Sequence, residues 1–229
     1  MKRDYLNGTP YAIEQPQQMY HFSSDTELLG RFMRLKKTDT VLDIGCNTGA
    51  LLCYAAMQGP KALYGIDLFE DVIMQSAKNL KDNQITAELA VSRLQEYDPP
   101  LKFSVIVCNP PYFKTIEDRL KNENKYLASA RHESFLNLQE LFSNADRLLA
   151  KDGAFYLIHR SNRIPEILQC AQTYGLYPVR MRILYKTMHR EASGVLFCFC
   201  HGSKRGLICD PPVFLDDRTT FADQKGEGR

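Results

Sequence analysis

The run Val107-Cys108-Asn109-Pro110-Pro111-Tyr112-Phe113 sets a carboxamide, two prolines and a phenol ring directly behind an apolar stretch. Each proline fixes its own φ and withholds an amide donor. The residue before each is driven toward extended backbone. The Asn109 carboxamide and a neighbouring carbonyl are then available to accept hydrogen bonds from an amino group, and Tyr112 offers a flat face to a planar ring. The chemistry this suits is transfer to an exocyclic amine. Such an amine is a weak nucleophile, because its lone pair is delocalised into the ring. Two acceptors on its hydrogens turn that lone pair toward an electrophile and support the positive charge that grows on nitrogen. With a sulfonium as the electrophile, no strong base is required. Stacking on an aromatic side chain adds about 1–3 kcal/mol per base, enough to help hold an extruded nucleotide. The bland alternative is a rigid turn with an incidental tyrosine.

A second group of residues suits a nucleoside-type ligand. Asp43-Ile44-Gly45-Cys46-Asn47-Thr48-Gly49 ends one apolar stretch, and Gly65-Ile66-Asp67-Leu68 ends the next. Glycines allow close backbone approach and a sharp turn. A pyrophosphate-gripping loop would read Gly-x-Gly-x-x-Gly. Here the spacing is Gly-x-x-x-Gly behind an acid, which is better matched to a cationic or amine-bearing ligand. A carboxylate at Asp67 can accept hydrogen bonds from two ribose hydroxyls. Taken singly, either motif could be a tight connection with a surface acid. The glycine spacing and the Asn-Pro-Pro-Tyr run disfavour a nicotinamide-dependent oxidoreductase.

The elements that must position these residues alternate. Strands are predicted over Thr40–Ile44, Ala62–Ile66, Thr86–Val91, Phe103–Cys108 and Ala154–His159, with helices over Thr26–Met33, Ala50–Met57, Glu70–Leu80, Ser134–Leu149 and Arg163–Gly175. Ser24 or Asp25 is available to cap the first helix. Tyr177–Tyr185 and Val195–His201 read as a closing hairpin. Apolar strands alternating with helices demand a largely parallel sheet covered on both faces. Ligands then bind beyond the carboxyl ends of its strands, where Asp43, Asp67 and Asn109 all fall. Residues 1–19 read as a polar extension or loop, 114–132 as a long polar loop of the functional or disordered kind, and the last residues as frayed.

The 229 residues suit one domain with appendages, and 44% hydrophobic against 24% charged residues is enough for a sizeable core. No apolar run is long enough to span a bilayer. No apolar stretch follows the charged N-terminus, so the expected compartment is the cytoplasm. The net charge of +2 does not announce a nucleic-acid partner, but basic residues outnumber acids between Lys151 and Arg205, which favours a phosphate-bearing partner or marks a solvated face. The Arg180-Met181-Arg182 pair could be an RNA face or an exposed edge. Seven cysteines lack disulfide or zinc spacing; strand alternation puts Cys198 and Cys200 on one face and Phe197 and Phe199 on the other, as core thiols rather than metal ligands. No metal is expected.

Asp43 to Gly49, Asp67 and Asn109-Pro110-Pro111-Tyr112 resemble the signature of class I, Rossmann-like S-adenosylmethionine-dependent methyltransferases acting on amino nitrogens. The run from Gln15 through Met19-Tyr20, Phe22-Ser23 and Asp25 to Leu28-Leu29 extends the likeness, as do Ala130-Arg131-x-Glu133 and Ala192 to Phe197. The whole set is similar to bacterial tRNA adenine-N6 methyltransferases that modify position 37 of a valine tRNA. The resemblance covers roughly residues 12 to 215.

The resemblance implies an α/β fold with a Rossmann-like, seven-stranded, mostly parallel sheet closed by an antiparallel hairpin. It implies a cofactor-contributing extension over residues 1–25, a methyltransferase domain over 26–205 and a tail over 206–229. S-adenosylmethionine is the implied cofactor. Gln15, Phe22, Asp25, Asp43, Gly45, Asn47, Gly49, Asp67, Leu68, Arg93, Leu94 and Asn109 would bind it. Asn109, Pro110 and Tyr112 would hold the target adenine, which must be splayed from its loop. Phe113, Lys114, Arg131, Arg160 and Arg163 would meet RNA. The partner is tRNA, with no membrane, and the protein is expected to act as a monomer. Asn47 stands where many relatives have glycine. Ser92-Arg93-Leu94 stands where the family often has an acid facing the cofactor adenine, which leaves Leu94 to pack on the ring. A release-factor type protein-glutamine N5 methyltransferase or an rRNA guanine-N2 methyltransferase would share the Asn-Pro-Pro-Tyr chemistry. The former usually adds an N-terminal helical domain for which this chain has no room.

Overall fold

The computed structural model describes residues 3–17, 19–110, 137–202 and 206–216. The chain opens with a small antiparallel hairpin, β1 (Arg3–Tyr5) and β2 (Ala12–Glu14). Then follow α1 (Ser24–Phe32), β3 (Thr40–Ile44), α2 (Ala50–Ala56), β4 (Ala62–Asp67), α3 (Glu70–Asp82), β5 (Glu88–Val91) and β6 (Phe103–Cys108). Beyond the undescribed segment come α4 (Leu138–Leu148), β7 (Leu149–His159), a 3-10 turn at Ser161–Arg163 and α5 (Ile164–Thr173). The chain closes with β8 (Leu176–Tyr185), β9 (Ala192–His201), β10 (Ile208–Cys209) and β11 (Val213–Phe214).

The main sheet runs β10-β8-β9-β7-β6-β3-β4-β5, with β11 also beside β8. From β7 to β5 every pairing is parallel. β9 is antiparallel to both β7 and β8. The seven expected strands are present, but the sheet has nine, because the tail adds β10 and β11 in parallel against β8. Asp210, just past β10, accepts from Arg180 at 2.7 Å and Arg182 at 3.1 Å. Both arginines therefore serve the tail, and Arg180 also lies 4.0 Å over the Phe32 ring. The extension likewise differs from the expected loop, since its hairpin docks on α3.

Alternation along the strands sorts the core onto two faces. Val41, Val105, Val107, Tyr156, Ile158 and Cys198 join a cluster with α1 and α2, which also takes Leu80 of α3. Leu42, Ile44, Ile106, Cys108, Phe155, Phe197 and Phe199 join another with α4 and α5. The expected split of Cys198 from Phe197 and Phe199 is observed. The N-cap of α1 is Ser23, one residue before the expected position, and its hydroxyl accepts from the Asp25 amide. On α4, Asn137 and Glu140 form a reciprocal capping box.

The chain places β4 and β5 on one side of β3 and β6 on the other. The strand order thus reverses at β3, which opens a crevice beyond the carboxyl ends of β3, β4 and β6. No described helix is long and apolar enough to cross a membrane.

Candidate functional site

The loop from Gly45 to Gly49 lines this crevice. Gly45, Asn47 and Gly49 all take left-handed backbone, with φ of 72°, 47° and 87°. Asparagine is one of the few residues other than glycine that enters this region at modest cost, which explains how Asn47 stands in a glycine-type position. A Cβ on Gly45 would meet nothing within 4 Å, so its outer face is open, whereas one on Gly49 would come within 2.8 Å of Ser76 Oγ on α3. The Gly45 and Cys46 amides both donate to the Ile66 carbonyl, folding the loop over the end of β4.

Two carboxylates lie under and beside the loop. Asp43 is wholly buried, and neither of its oxygens has a hydrogen-bond partner. Burial, then the charge of Asp67, pushes its carboxyl well above the usual range. Asp67, at the end of β4, accepts from the Asn47 amide at 3.1 Å and the Phe69 amide at 3.4 Å. Burial raises its pKa, and those backbone bonds pull it back. A carboxylate offers about four lone-pair sites, so Asp67 keeps capacity beyond these backbone bonds.

The extension folds over the loop through a chain of polar contacts. Gln15 accepts from the Phe22 amide at 2.7 Å and donates to Asp4. Asn47 donates through Nδ2 to the Tyr20 carbonyl at 2.7 Å. Below them, Asn79 of α3 accepts from the Glu14 amide and donates to the Glu14 and Thr48 carbonyls, at 2.9, 3.0 and 2.9 Å. Asn83, one turn on, makes the same two-way bond with Ala12. Phe22 packs against the core.

Asn109 follows β6, one strand from the loop. Its Nδ2 donates to Thr26 Oγ1 in the first turn of α1 at 3.0 Å. Asp25, beside Thr26, has its pKa raised by burial against the lowering charge of Arg160. Leu68 is 44% exposed and presents an apolar surface next to Asp67. Leu94 is 5% exposed and belongs to the core cluster with Ile44 and Ile66 rather than facing outward. Its loop is held by Arg147 of α4, which donates to the Leu94 and Tyr97 carbonyls. Arg93 sits 3.9 Å from Glu96.

Of the expected RNA contacts, Arg160 lines a cleft next to α1. The Arg163 side chain is 39% exposed, and its guanidinium forms two bonds to Glu166 at 2.6 and 2.7 Å, three residues on along the chain. Pro110 lies within the described residues; Pro111, Tyr112, Phe113, Lys114 and Arg131 lie outside them. Among the described residues no group of three or more His, Cys, Asp or Glu is placed to hold a metal ion.

Sequence reasoning missed Thr26, Asn79 and Asn83. The two asparagines had a signal, since side chains that compete for backbone hydrogen bonds are poorly suited to helix interiors and stand here at i and i+4 near a helix end. Thr26 had none.

The arrangement fits a ligand with a cationic part, a hydroxyl pair and a planar ring. The orphaned Asp43 carboxylate, the open face of Gly45, the spare capacity of Asp67 and the exposed Leu68 supply one complementary feature each.

Comparison with known proteins agrees with this geometry. The family described as methyltransferase small domain matches residues 20–173. A protein of Phocaeicola vulgatus named tRNA1(Val) (adenine(37)-N6)-methyltransferase is 27% identical over 217 residues, covering 94% of this chain and 92% of its own. A Vibrio cholerae protein of the same name is 26% identical over 219 residues, covering 94% and 87%. The crystal structure of a ribosomal protein L11 methylase from Lactobacillus delbrueckii shares the fold, with a TM-score of 0.56, 19% identity and 78% of each chain covered.

Proposed function

The chain belongs to the methyltransferase small domain family, and from that premise we propose that it moves a methyl group from S-adenosylmethionine to the exocyclic N6 of an adenine in tRNA. The position is adenine 37, beside the anticodon of valine tRNA, the activity for which both bacterial relatives are named. The observation that supports this most is the placement of Asn109. It stands at the end of β6, next to the strand that bears the glycine loop, and Thr26 holds the NH2 branch of its amide. The carbonyl branch of a planar carboxamide lies on the opposite side from that bond.

The residues divide the work by position. Asp67 accepts the ribose hydroxyls with its remaining lone pairs. Asp43, from beneath the loop, supplies negative potential to the cationic end of the cofactor. Leu68 covers one apolar side. Gln15 and Phe22 close the extension over the ligand, and Gly45, Asn47 and Gly49 let the backbone approach it. Arg93 borders the base. When bound, the cofactor supplies an electrophilic methyl on a sulfonium.

Asn109 and the backbone around Pro110 accept from the adenine amine and orient its lone pair, while Tyr112 stacks on the ring. The nitrogen becomes acidic once methylated, so its proton leaves to water without a dedicated base. Phe113, Lys114, Arg131 and Arg160 face the RNA. The enzyme works as a monomer in the cytoplasm.

The test is transfer of labelled methyl from the cofactor to tRNA that lacks the modification, followed by mass spectrometry of the nucleosides. Label in N6-methyladenosine at position 37 is the expected result. Label in protein or in guanosine, or none in tRNA, overturns it.

A further inference from the structure

A cavity of about 210 Å³ opens between the N-terminus of α1, His159 and Arg160 at the end of β7, Lys186 in the β8–β9 connection and Ser193 at the start of β9. It lies on the side of Asn109 away from the cofactor loop. The sheet runs β3-β6-β7-β9 in that direction. At about 4.8 Å per strand spacing, β7 and β9 stand about 5 and 10 Å beyond β6. Thr26, which holds the Asn109 amide, sits in the first turn of the helix whose N-terminus lines the cavity. A nucleotide whose base reaches Asn109 from this side would have its backbone at this opening.

The charges in the cleft select the ligand. Arg160 and the Asp25 carboxylate act on each other across it and largely offset. Lys186 is exposed, and no acid among the described residues pairs with its ammonium. The N-terminus of a nine-residue helix adds positive potential at the same place. The His159 imidazole is neutral near pH 7, because burial first and Arg163 second lower its pKa to about 4. Its Nδ1 accepts from the Arg160 amide, which assigns the proton to Nε2. Among the described residues, the cleft therefore holds one cation without an acidic partner, beside a helix N-terminus.

Resting on the RNA-methylating function above, we propose that this cleft seats a backbone phosphate of the substrate RNA next to the target nucleotide, with Lys186 as its counter-charge.

The test measures RNA binding as a function of salt, with no methyl transfer required. Each phosphate contact contributes about 0.7–0.9 to the slope of log binding constant against log salt. Lys186→Gln should flatten the slope by about that amount and raise the KM for tRNA. Lys186→Glu should do more. Lys151→Gln, on an exposed residue far along β7, should do neither. Synthetic anticodon stem-loops carrying one neutral methylphosphonate at a time locate the contact: at one position next to the target, the loss should fail to add to that of Lys186→Gln. An excess of inorganic phosphate should not reproduce the effect, which separates an RNA phosphate from a free anion.

The proposal is overturned if Lys186→Gln leaves slope and KM unchanged, if Lys151→Gln matches it, or if the losses add at every position. A wild-type protein that binds RNA with a Lys186-dependent slope but methylates none overturns the assigned activity and leaves the cleft. One that methylates tRNA without regard to Lys186 overturns only the cleft.

Discussion

The amide of Asn109 and the hydroxyl of Thr26 are joined by a 3.0 Å hydrogen bond between the end of β6 and the first turn of α1. This bond links the Asn-Pro-Pro-Tyr run to a residue 83 positions earlier in the chain. It converts a freely rotating carboxamide into one with an assigned orientation.

Thr26→Val keeps the side-chain shape and removes the partner. It should lower kcat about tenfold, the equivalent of about 1.4 kcal/mol, with cofactor affinity little changed. Single-turnover methyl transfer and calorimetric titration with S-adenosylhomocysteine together read the two quantities. Equal losses in both would assign Thr26 to general stability instead.

Asp43 is a liability to the fold that the proposed function would exploit. Its folded pKa is raised, so its contribution to stability is fully present below the unfolded value of 3.8 and is lost as pH rises through the folded value. At pH 7.5 the buried, unpartnered carboxyl therefore opposes folding. Asp43→Asn should stabilise the protein by about 1 kcal/mol, or about 2–4 °C in Tm, while methyl transfer drops about a hundredfold. Thermal unfolding and initial rates measured on one preparation check both directions.

Asn79 ties the extension to the cofactor loop through Glu14 and Thr48. Asn79→Ala leaves buried backbone groups unsatisfied and should cost about 2–4 kcal/mol. Cofactor affinity should fall with it, because the loop and its cover lose their common anchor. Urea unfolding with and without S-adenosylhomocysteine measures stability and linkage at once.

His159 works in the opposite sense to Asp43. Its folded pKa of about 4 lies below the unfolded 6.5, so the unfolded chain binds more protons between those values. Its contribution is present above pH 6.5 and is lost as pH falls toward 4. Relative to His159→Gln, the wild type should lose about 2 kcal/mol between pH 7.5 and pH 5, at about 1.4 kcal/mol per unit below 6.5. Unfolding curves for the pair across that range test the sign.

The parts of the site that local sequence can specify were legible. β3 and β6 match their expected ranges because uninterrupted apolar runs bounded by polar residues have few other ways to be buried. Asp43, Asp67 and Asn109 could be placed together because a parallel sheet delivers strand ends to one edge. What escaped depends on long-range partners. The β1–β2 hairpin is three residues per strand and owes its place to Asn79 of α3 and Asn83 at its C-cap. Two-residue strands in the tail are set by Arg180 and Arg182 meeting Asp210, a pairing that no local spacing announces. The Arg163–Glu166 ion pair, three residues apart on the surface, was likewise not anticipated.

The tail strands against β8 also bear on how the molecule behaves in solution. An uncovered strand at a sheet margin is a template for joining another chain. With β10 and β11 lying along β8, that margin is occupied by the protein's own backbone. Shortening the chain before Ile208 would expose a ten-residue ribbon and invite self-association, whatever became of catalysis.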